Sequence, residues 1–181
     1  MPYLYQFGEQ RPGMYTLETS RSGGGVLAAL ANLKLFGKEG LRVIIGHIVE
    51  MAQLLREHQE SHECMTVVNR DNFGPVTLFR VYPEGVDTFQ IKKGAEMHAV
   101  AFRDILLQHN AFNRKVFGFV HQEGMAEREV ILSLTNCNRH ADYGEPIMAL
   151  KSFILSPFVD ENNVEAVVYK VLEARKLLTL S

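Results

Sequence analysis

A turn rich in hydroxyl and glycine residues precedes a helix-patterned segment early in the chain. Residues 19–25 read Thr-Ser-Arg-Ser-Gly-Gly-Gly, and residues 26–36 continue with alanine and leucine at helical spacing. The first N–H groups of a helix have no partner within it, and the helix dipole places partial positive charge there. Together with the hydroxyls, these groups could bind phosphate or another anion. The alternative is structural: Ser20 or Ser22 caps the helix, and the glycines supply unusual backbone angles.

Two segments of the chain resemble parts of a known enzyme family. The first comprises residues 19–24 and the following helix, which ends in Phe-Gly-Lys-Glu-Gly at 36–40. The second is Ala-Leu-Lys-Ser-Phe-Ile-Leu-Ser-Pro-Phe at 149–158. In this order they resemble the group II decarboxylases, which are pyridoxal-phosphate enzymes of fold type I, and the resemblance covers about residues 15–178. It implies a carbon–carbon lyase that acts on an amino acid with pyridoxal phosphate as cofactor, in a homodimer.

The resemblance is limited to the C-terminal portion of the family. Family members are more than twice as long as these 181 residues, and their Schiff-base lysine usually follows a histidine. No His-Lys pair occurs among the eight lysines here. We therefore expect a C-terminal fragment that is inactive alone, contains no catalytic residue and works with a missing N-terminal half. The alternative is a stand-alone interaction or dimerisation module, because the apolar residues of helix 22–36 would be exposed unless they pair.

The resemblance assigns binding roles to four residues. It places Ser20 at the cofactor phosphate of the partner subunit, with Thr19 and Ser22 as helpers. It places Lys151 at the strand position where animal glutamate decarboxylases carry an arginine that holds the distal carboxylate of the substrate. Because a lysine cannot form the two parallel hydrogen bonds of an arginine, we expect a substrate other than glutamate bound in the usual way. The alternative for Lys151 is an edge-strand lysine that discourages aggregation.

Other polar side chains are open to two interpretations. The segment 137–146 reads as a polar loop, where Arg139, His140 and Tyr143 could border a substrate entrance or simply be solvated. His58 and His62 have a spacing that can bind a metal, but histidines near a helix C-terminus also interact favourably with its dipole. No metal site is predicted. The histidines elsewhere are interpreted as satisfied or exposed groups: His47, His98, His109 and His121.

Composition restricts the class of protein. The chain is 46% hydrophobic with a net charge of −2, which suits one domain, or one domain with an appended element. Both signs of charge are interspersed, so no nucleic-acid or membrane partner is expected. The two cysteines form no disulfide or zinc pattern, and residues 1–9 lack the regions of a signal peptide. We expect a cytoplasmic protein.

The apolar pattern predicts an α/β (α+β) fold. We expect a small, mostly antiparallel sheet of about four strands, covered by helices and preceded by a helical pair. Residues 1–37 would correspond to the end of the large domain of the family, and residues 38–181 to its small C-terminal domain. The predicted helices are 22–36, 39–60, about 92–122 with a division near Asn110, and a last one from the Asp160 cap to about 177. The predicted strands are 64–69, 76–82, 130–136 and 147–155.

Overall fold

The computed structural model describes residues 23–86, 95–127 and 132–180. Four α-helices and four strands lie in these ranges: α1 Gly24–Ser61, β1 Met65–Val67, β2 Val76–Val81, α2 Ala95–His98, α3 Arg103–Glu127, β3 Ser133–His140, β4 Pro146–Phe153 and α4 Glu161–Leu180. A short 3₁₀ helix, Val100–Phe102, precedes α3. The chain divides into two compact units, Met1–Arg42 and Val43–Ser181. The assignment of residues 1–37 and 38–181 to two parts of a decarboxylase stays a prediction.

Helix α1 is interrupted at the predicted position. Gly37 has φ 59° and ψ −171°, which is not helical. A positive φ is costly for residues with a Cβ atom, so a glycine is the residue that ends the first predicted helix here. Before the break, six large apolar side chains are between 43% and 77% exposed: Val26, Leu27, Leu30, Leu33, Leu35 and Phe36. None of the described helices has the length and apolar character needed to cross a membrane.

The four strands form one antiparallel sheet in the order β1-β2-β4-β3. The predicted fold class is therefore confirmed. The limits of all four strands differ from the prediction, and the differences are largest for β1, which is only three residues long, and β3, which extends to His140. Residues 137–140, predicted as loop, belong to β3. This strand lies at an edge of the sheet and is mostly exposed, so its polar side chains give no apolar alternation.

One face of the sheet is covered by helices. The hydrophobic core between this face and the helices is formed by side chains from α1, α3, α4, the four strands and residues next to them. The buried members are Ala52, Leu55, Met65, Phe79, Val81, Val116, Val120, Leu132, Leu150, Ile154, Val164, Val168, Val171 and Ala174. The partly buried Leu134 of β3 packs against them. Not every apolar residue of α1 contributes to this core, because Ile45 is 58% exposed. Burial of this set is the main driving force for folding of the second unit.

Helix α3 is not divided at Asn110, contrary to the prediction. An asparagine weakens a helix when its side chain competes for the nearby backbone. Here the side chain is occupied by β4: Asn110 Oδ1 accepts from Met148 N at 3.1 Å, and Nδ2 donates to Pro146 O at 2.8 Å. One turn later, Asn113 accepts from Val81 N and donates to Val81 O, both at 2.9 Å. The two asparagines thus replace ladder bonds where β2 and β4 are no longer paired.

Asp160 caps α4, as predicted. Its Oδ1 accepts from Asn163 N at 3.0 Å, and Asn163 Oδ1 accepts from Asp160 N at 3.0 Å. The backbone hydrogen bond from Asn163 is the main cause of a pKa below the ordinary 3.8 for this carboxyl. At pH values above the ordinary pKa of 3.8, the ionised carboxylate of Asp160 therefore stabilises the fold. This stabilisation is lost as the pH falls through the lower pKa that Asp160 has in the folded protein.

The variant Asp160→Asn tests this cap, because asparagine is also a good cap but does not titrate. We expect the thermal midpoint of the native protein to approach that of Asp160→Asn as the pH is lowered from above 3.8 to below the folded pKa of Asp160. Thermal unfolding at a series of pH values measures it. A difference that is the same at every pH would show that the carboxylate charge contributes nothing.

Candidate functional site

The three predicted cofactor-binding residues, Thr19, Ser20 and Ser22, lie outside the described residues. The described chain begins immediately after them, at Gly23. Helix α1 starts at Gly24, and its first turn contains no acidic residue. Leu27 N donates to Gly23 O at 2.9 Å, so Gly23 already provides an acceptor for the first helical turn. The assignment of the three hydroxyl residues stays a prediction.

Lys151 lies in the middle of the sheet. On β4 it is paired with Leu78 of β2 on one side and with Ser133 of β3 on the other. The alternative interpretation of Lys151 as an edge-strand lysine is therefore wrong, since β4 has a neighbour on both sides. Local sequence could not reveal this, because it does not determine the order of the strands.

The sheet face that carries Lys151 is exposed at one end and covered at the other, since Phe153 is 51% exposed and Ala149 is 0% exposed. Strand alternation places Lys151, Ala149 and Phe153 on one face, opposite the helix-covered core. Lys151 and its neighbour Leu78 are half-buried. Within the described part of the chain, the Lys151 ammonium forms no hydrogen bond or ion pair. Lys151 is thus a half-buried cation beside the apolar side chains of Leu78 and Phe153.

The polar residues predicted to border a substrate entrance lie elsewhere. Arg139 is paired with Ile147, four residues along β4 from Lys151, which is about 13 Å at the usual rise of a strand. Arg139 Nη2 contacts Met97 Sδ at 2.8 Å, and Tyr143 OH donates to Glu96 O at 2.6 Å. Burial raises the pKa of Tyr143, which remains a hydrogen-bond donor. This group fastens the β3–β4 turn to α2.

A buried ionic cluster, which we call the Arg80 cluster, joins three elements beside this turn. Arg80 of β2, Glu96 of α2 and His109 of α3 are 0%, 2% and 4% exposed. Glu96 Oε2 is 2.6 Å from His109 Nδ1, and Glu96 Oε1 is 3.5 Å from Arg80 Nη2. Arg80 Nη1 donates to Asn110 Oδ1 at 2.8 Å. The short Glu96–His109 contact places a hydrogen on Nδ1, because the carboxylate can only accept.

Tyr82 completes the Arg80 cluster. Its hydroxyl donates to Glu96 Oε1 at 3.4 Å, and its ring meets the His109 ring edge-on with centroids 5.1 Å apart. Burial is the main cause that raises the pKa of Tyr82 above its usual range, so the hydroxyl keeps its proton. Our sequence reasoning missed this cluster. The available signal was Arg80 itself, a charge in the middle of an apolar strand.

The structure brings together no metal ligands in the ranges it describes. No group of three or more His, Cys, Asp or Glu side chains there could hold a metal ion. Helix α1 ends at Ser61, so His62 lies beyond it and does not share a helical face with His58.

Comparisons with solved structures identify the fold. The chain matches mouse CSAD in its apo form with a TM-score of 0.64 and 12% identity, over 90% of this chain and 30% of that one. It matches Catharanthus roseus tryptophan decarboxylase in complex with L-tryptophan with a TM-score of 0.55 and 18% identity, over 92% and 28%. Oryza sativa TDC with PLP and tryptamine gives a TM-score of 0.57 and 15% identity, over 81% and 25%. No protein-family model and no curated protein matches the chain.

The chain thus spans less than a third of the length of each of these structures. At these identities the likeness concerns the fold. In fold, the described part of the chain resembles the small C-terminal domain of fold type I pyridoxal-phosphate enzymes, as expected from the sequence.

Proposed function

We propose that this chain is the C-terminal portion of a pyridoxal-phosphate-dependent amino-acid decarboxylase and is inactive by itself. The observation that supports this most directly is Lys151, a half-buried cation without an acidic partner among the described residues, on strand β4 between β2 and β3. That is where the family resemblance expects the group that holds a substrate carboxylate. The fold of the described residues supports the same assignment.

In this proposal the chain binds and orients, and the missing half supplies the reacting centre. The Lys151 ammonium attracts a carboxylate of the substrate, and the surrounding Leu78 and Phe153 exclude water and so strengthen that attraction. A single ammonium fixes charge but not the orientation of a carboxylate plane. Glutamate bound in the usual way would need an arginine that forms two parallel hydrogen bonds with its distal carboxylate. We therefore propose that the substrate is not glutamate bound in that way.

The described residues fit the cofactor only in part. Pyridoxal phosphate, when bound, acts as the electron sink for the charge left by loss of carbon dioxide. Ser20, with Thr19 and Ser22, would hold its phosphate, in the active site of the partner subunit. The start of α1 at Gly24, with no acidic side chain in its first turn, is compatible with an anion beside it. In the family, the lysine that carries the cofactor follows a histidine, a pair that does not occur in this sequence.

Inactivity of the separate chain can be tested with the cofactor alone. The purified chain is incubated with pyridoxal phosphate, reduced with borohydride and digested for mass spectrometry. We expect only low, scattered labelling of the eight lysines. Stoichiometric labelling of one lysine would overturn the inactivity claim, because the chain would then carry its own cofactor lysine.

A second candidate function is favoured by the exposed apolar residues of α1. Six large side chains before Gly37 are at least 43% exposed, which is unusual unless a partner covers them. They could make the chain a dimerisation module derived from such an enzyme. Light scattering distinguishes this function: a dimer that dissociates in the variant Leu27→Glu supports it, and a monomer at all concentrations argues against it.

A further inference from the structure

A groove lies between α3 and the β3–β4 hairpin, away from Lys151. It has a volume of about 610 Å³, and Leu107, Ala111, Pro146 and Met148 supply its apolar surface. This volume is within the range of small-molecule sites, roughly 300–1,000 Å³. Because none of its lining residues belongs to the Lys151 face, its interpretation does not depend on the proposed decarboxylase function.

The sheet is irregular beside the groove. Between the pairs Thr135–Ala149 and Arg139–Ile147, β3 has three residues, 136–138, where β4 has only Met148. This bulge moves β3 out of regular pairing and places Asn136 at the rim. Bulges are frequent beside binding sites, where they redirect a side chain.

At Met148, the side of β4 that faces away from β3 is hydrogen-bonded to side chains, because the pairing of β4 with β2 ends at Leu150. Met148 N donates to Asn110 Oδ1, and Met148 O accepts from Arg80 Nη1. The bottom of the groove is thus fixed by buried, hydrogen-bonded groups. Asn110 itself lines the groove, and its bond to Pro146 O uses one of the two hydrogens on Nδ2. Its second hydrogen is available for an acceptor.

The charged residues that line this groove are all basic. Arg114 and Lys115 are consecutive residues of α3 that both line the groove, and no acidic residue is among the lining residues. Arg114 makes only a 3.5 Å contact with Asn136 Oδ1, and Lys115 has no partner within the described ranges. A second groove of about 430 Å³ on α4 differs, because its Lys176 is accompanied by Glu173. Of these two grooves, both formed by described residues, the first is the one that combines an apolar surface with uncompensated positive charge.

We propose that this groove binds a small amphipathic carboxylate, with its apolar body on Leu107, Ala111 and Met148 and its carboxylate at Arg114 and Lys115. The two cations provide the charge complement, and Asn136 and Asn110 provide neutral donors. A free small acid, rather than a protein segment, matches the limited volume of the groove.

The test uses 2-naphthoate as the probe and 2-naphthalenemethanol as its neutral counterpart. The full chain, labelled with nitrogen-15, is titrated with each, and amide shifts are followed by NMR. We expect saturable shifts confined to residues 107–115, 136, 147 and 148, and an affinity for the neutral probe that is lower by about fivefold or more.

Three variants separate charge from shape. The double variant Arg114→Gln, Lys115→Gln should reduce the affinity for 2-naphthoate to that for the neutral probe. Ala111→Trp should block both probes, because the exposed Ala111 can accept a large side chain without disturbing the core. Lys176→Gln, in the other groove, should change nothing. Unchanged thermal midpoints verify that each variant is folded.

Four results would overturn the proposal. The first is equal affinity for the two probes, which would indicate a purely apolar occupant. The second is a set of amide shifts that are scattered or concentrated outside the groove. The third is the absence of saturable binding of 2-naphthoate up to its solubility limit. Concentration-dependent shifts at the groove without any probe would also contradict it, since a second copy of the chain would then be the occupant.

Discussion

Replacing Glu96 with alanine is expected to lower the free energy of unfolding by about 3–5 kcal/mol, the usual cost of breaking a buried ion pair. Arg80 and His109 would both lose a partner while being 0% and 4% exposed. Arg80 is already poorly satisfied, because neither Nε nor Nη2 has a well-formed hydrogen bond. Urea unfolding followed by circular dichroism measures the change.

The control for this prediction is Glu165→Ala, on the exposed side of α4. A surface substitution of this kind should change stability by less than about 0.5 kcal/mol. Glu96→Gln should fall between the two, because the amide can still accept from His109 but carries no charge. If Glu96→Ala is as mild as Glu165→Ala, the Arg80 cluster does not stabilise the fold.

Replacing Lys151 with methionine is expected to weaken substrate binding in the complete enzyme about 10- to 100-fold, with a smaller effect on kcat. A hydrogen bond to a charged group contributes about 1.5–3 kcal/mol, which corresponds to this factor. Methionine keeps the unbranched stem of Lys151 on the sheet face, so packing against Leu78 is preserved. The measurement is KM for the amino-acid substrate, compared between the variant and the native chain in the same assembly.

Two further variants make the Lys151 prediction specific. Lys151→Arg keeps the charge and should retain most of the binding, whereas the exposed Lys176→Met should leave KM unchanged. A substrate without a distal carboxylate or other anion should also be insensitive to Lys151→Met. If Lys151→Met and Lys176→Met behave alike, Lys151 has no role in substrate binding.

The elements were largely predictable because their signals are local. Gly37 marked the break in α1, and Asp160 marked the start of α4, since each residue acts on its own backbone. Asn110 misled the prediction for the opposite reason. Its side chain bonds to β4, which is distant in sequence. The prediction ended β3 at residue 136 instead of His140, because the exposed residues of an edge strand need not be apolar and so give no strand pattern.

The site was less predictable because its partners come from several elements. The resemblance identified Lys151, but its position between two neighbouring strands depends on the order β1-β2-β4-β3. The Arg80 cluster joins residues 80, 96 and 109, and no spacing rule connects them. Such clusters depend on tertiary packing, so a charge within an apolar strand is the main hint that a sequence offers.

The location of the cofactor lysine tests the central proposal most directly. The protein is purified from its natural source under native conditions, reduced with borohydride and analysed by peptide mass spectrometry. We predict a single cofactor-labelled lysine that follows a histidine, on polypeptide joined to or tightly bound to this chain. No labelled lysine anywhere in the assembly, or a label on one of the eight lysines of these 181 residues, would contradict the proposal.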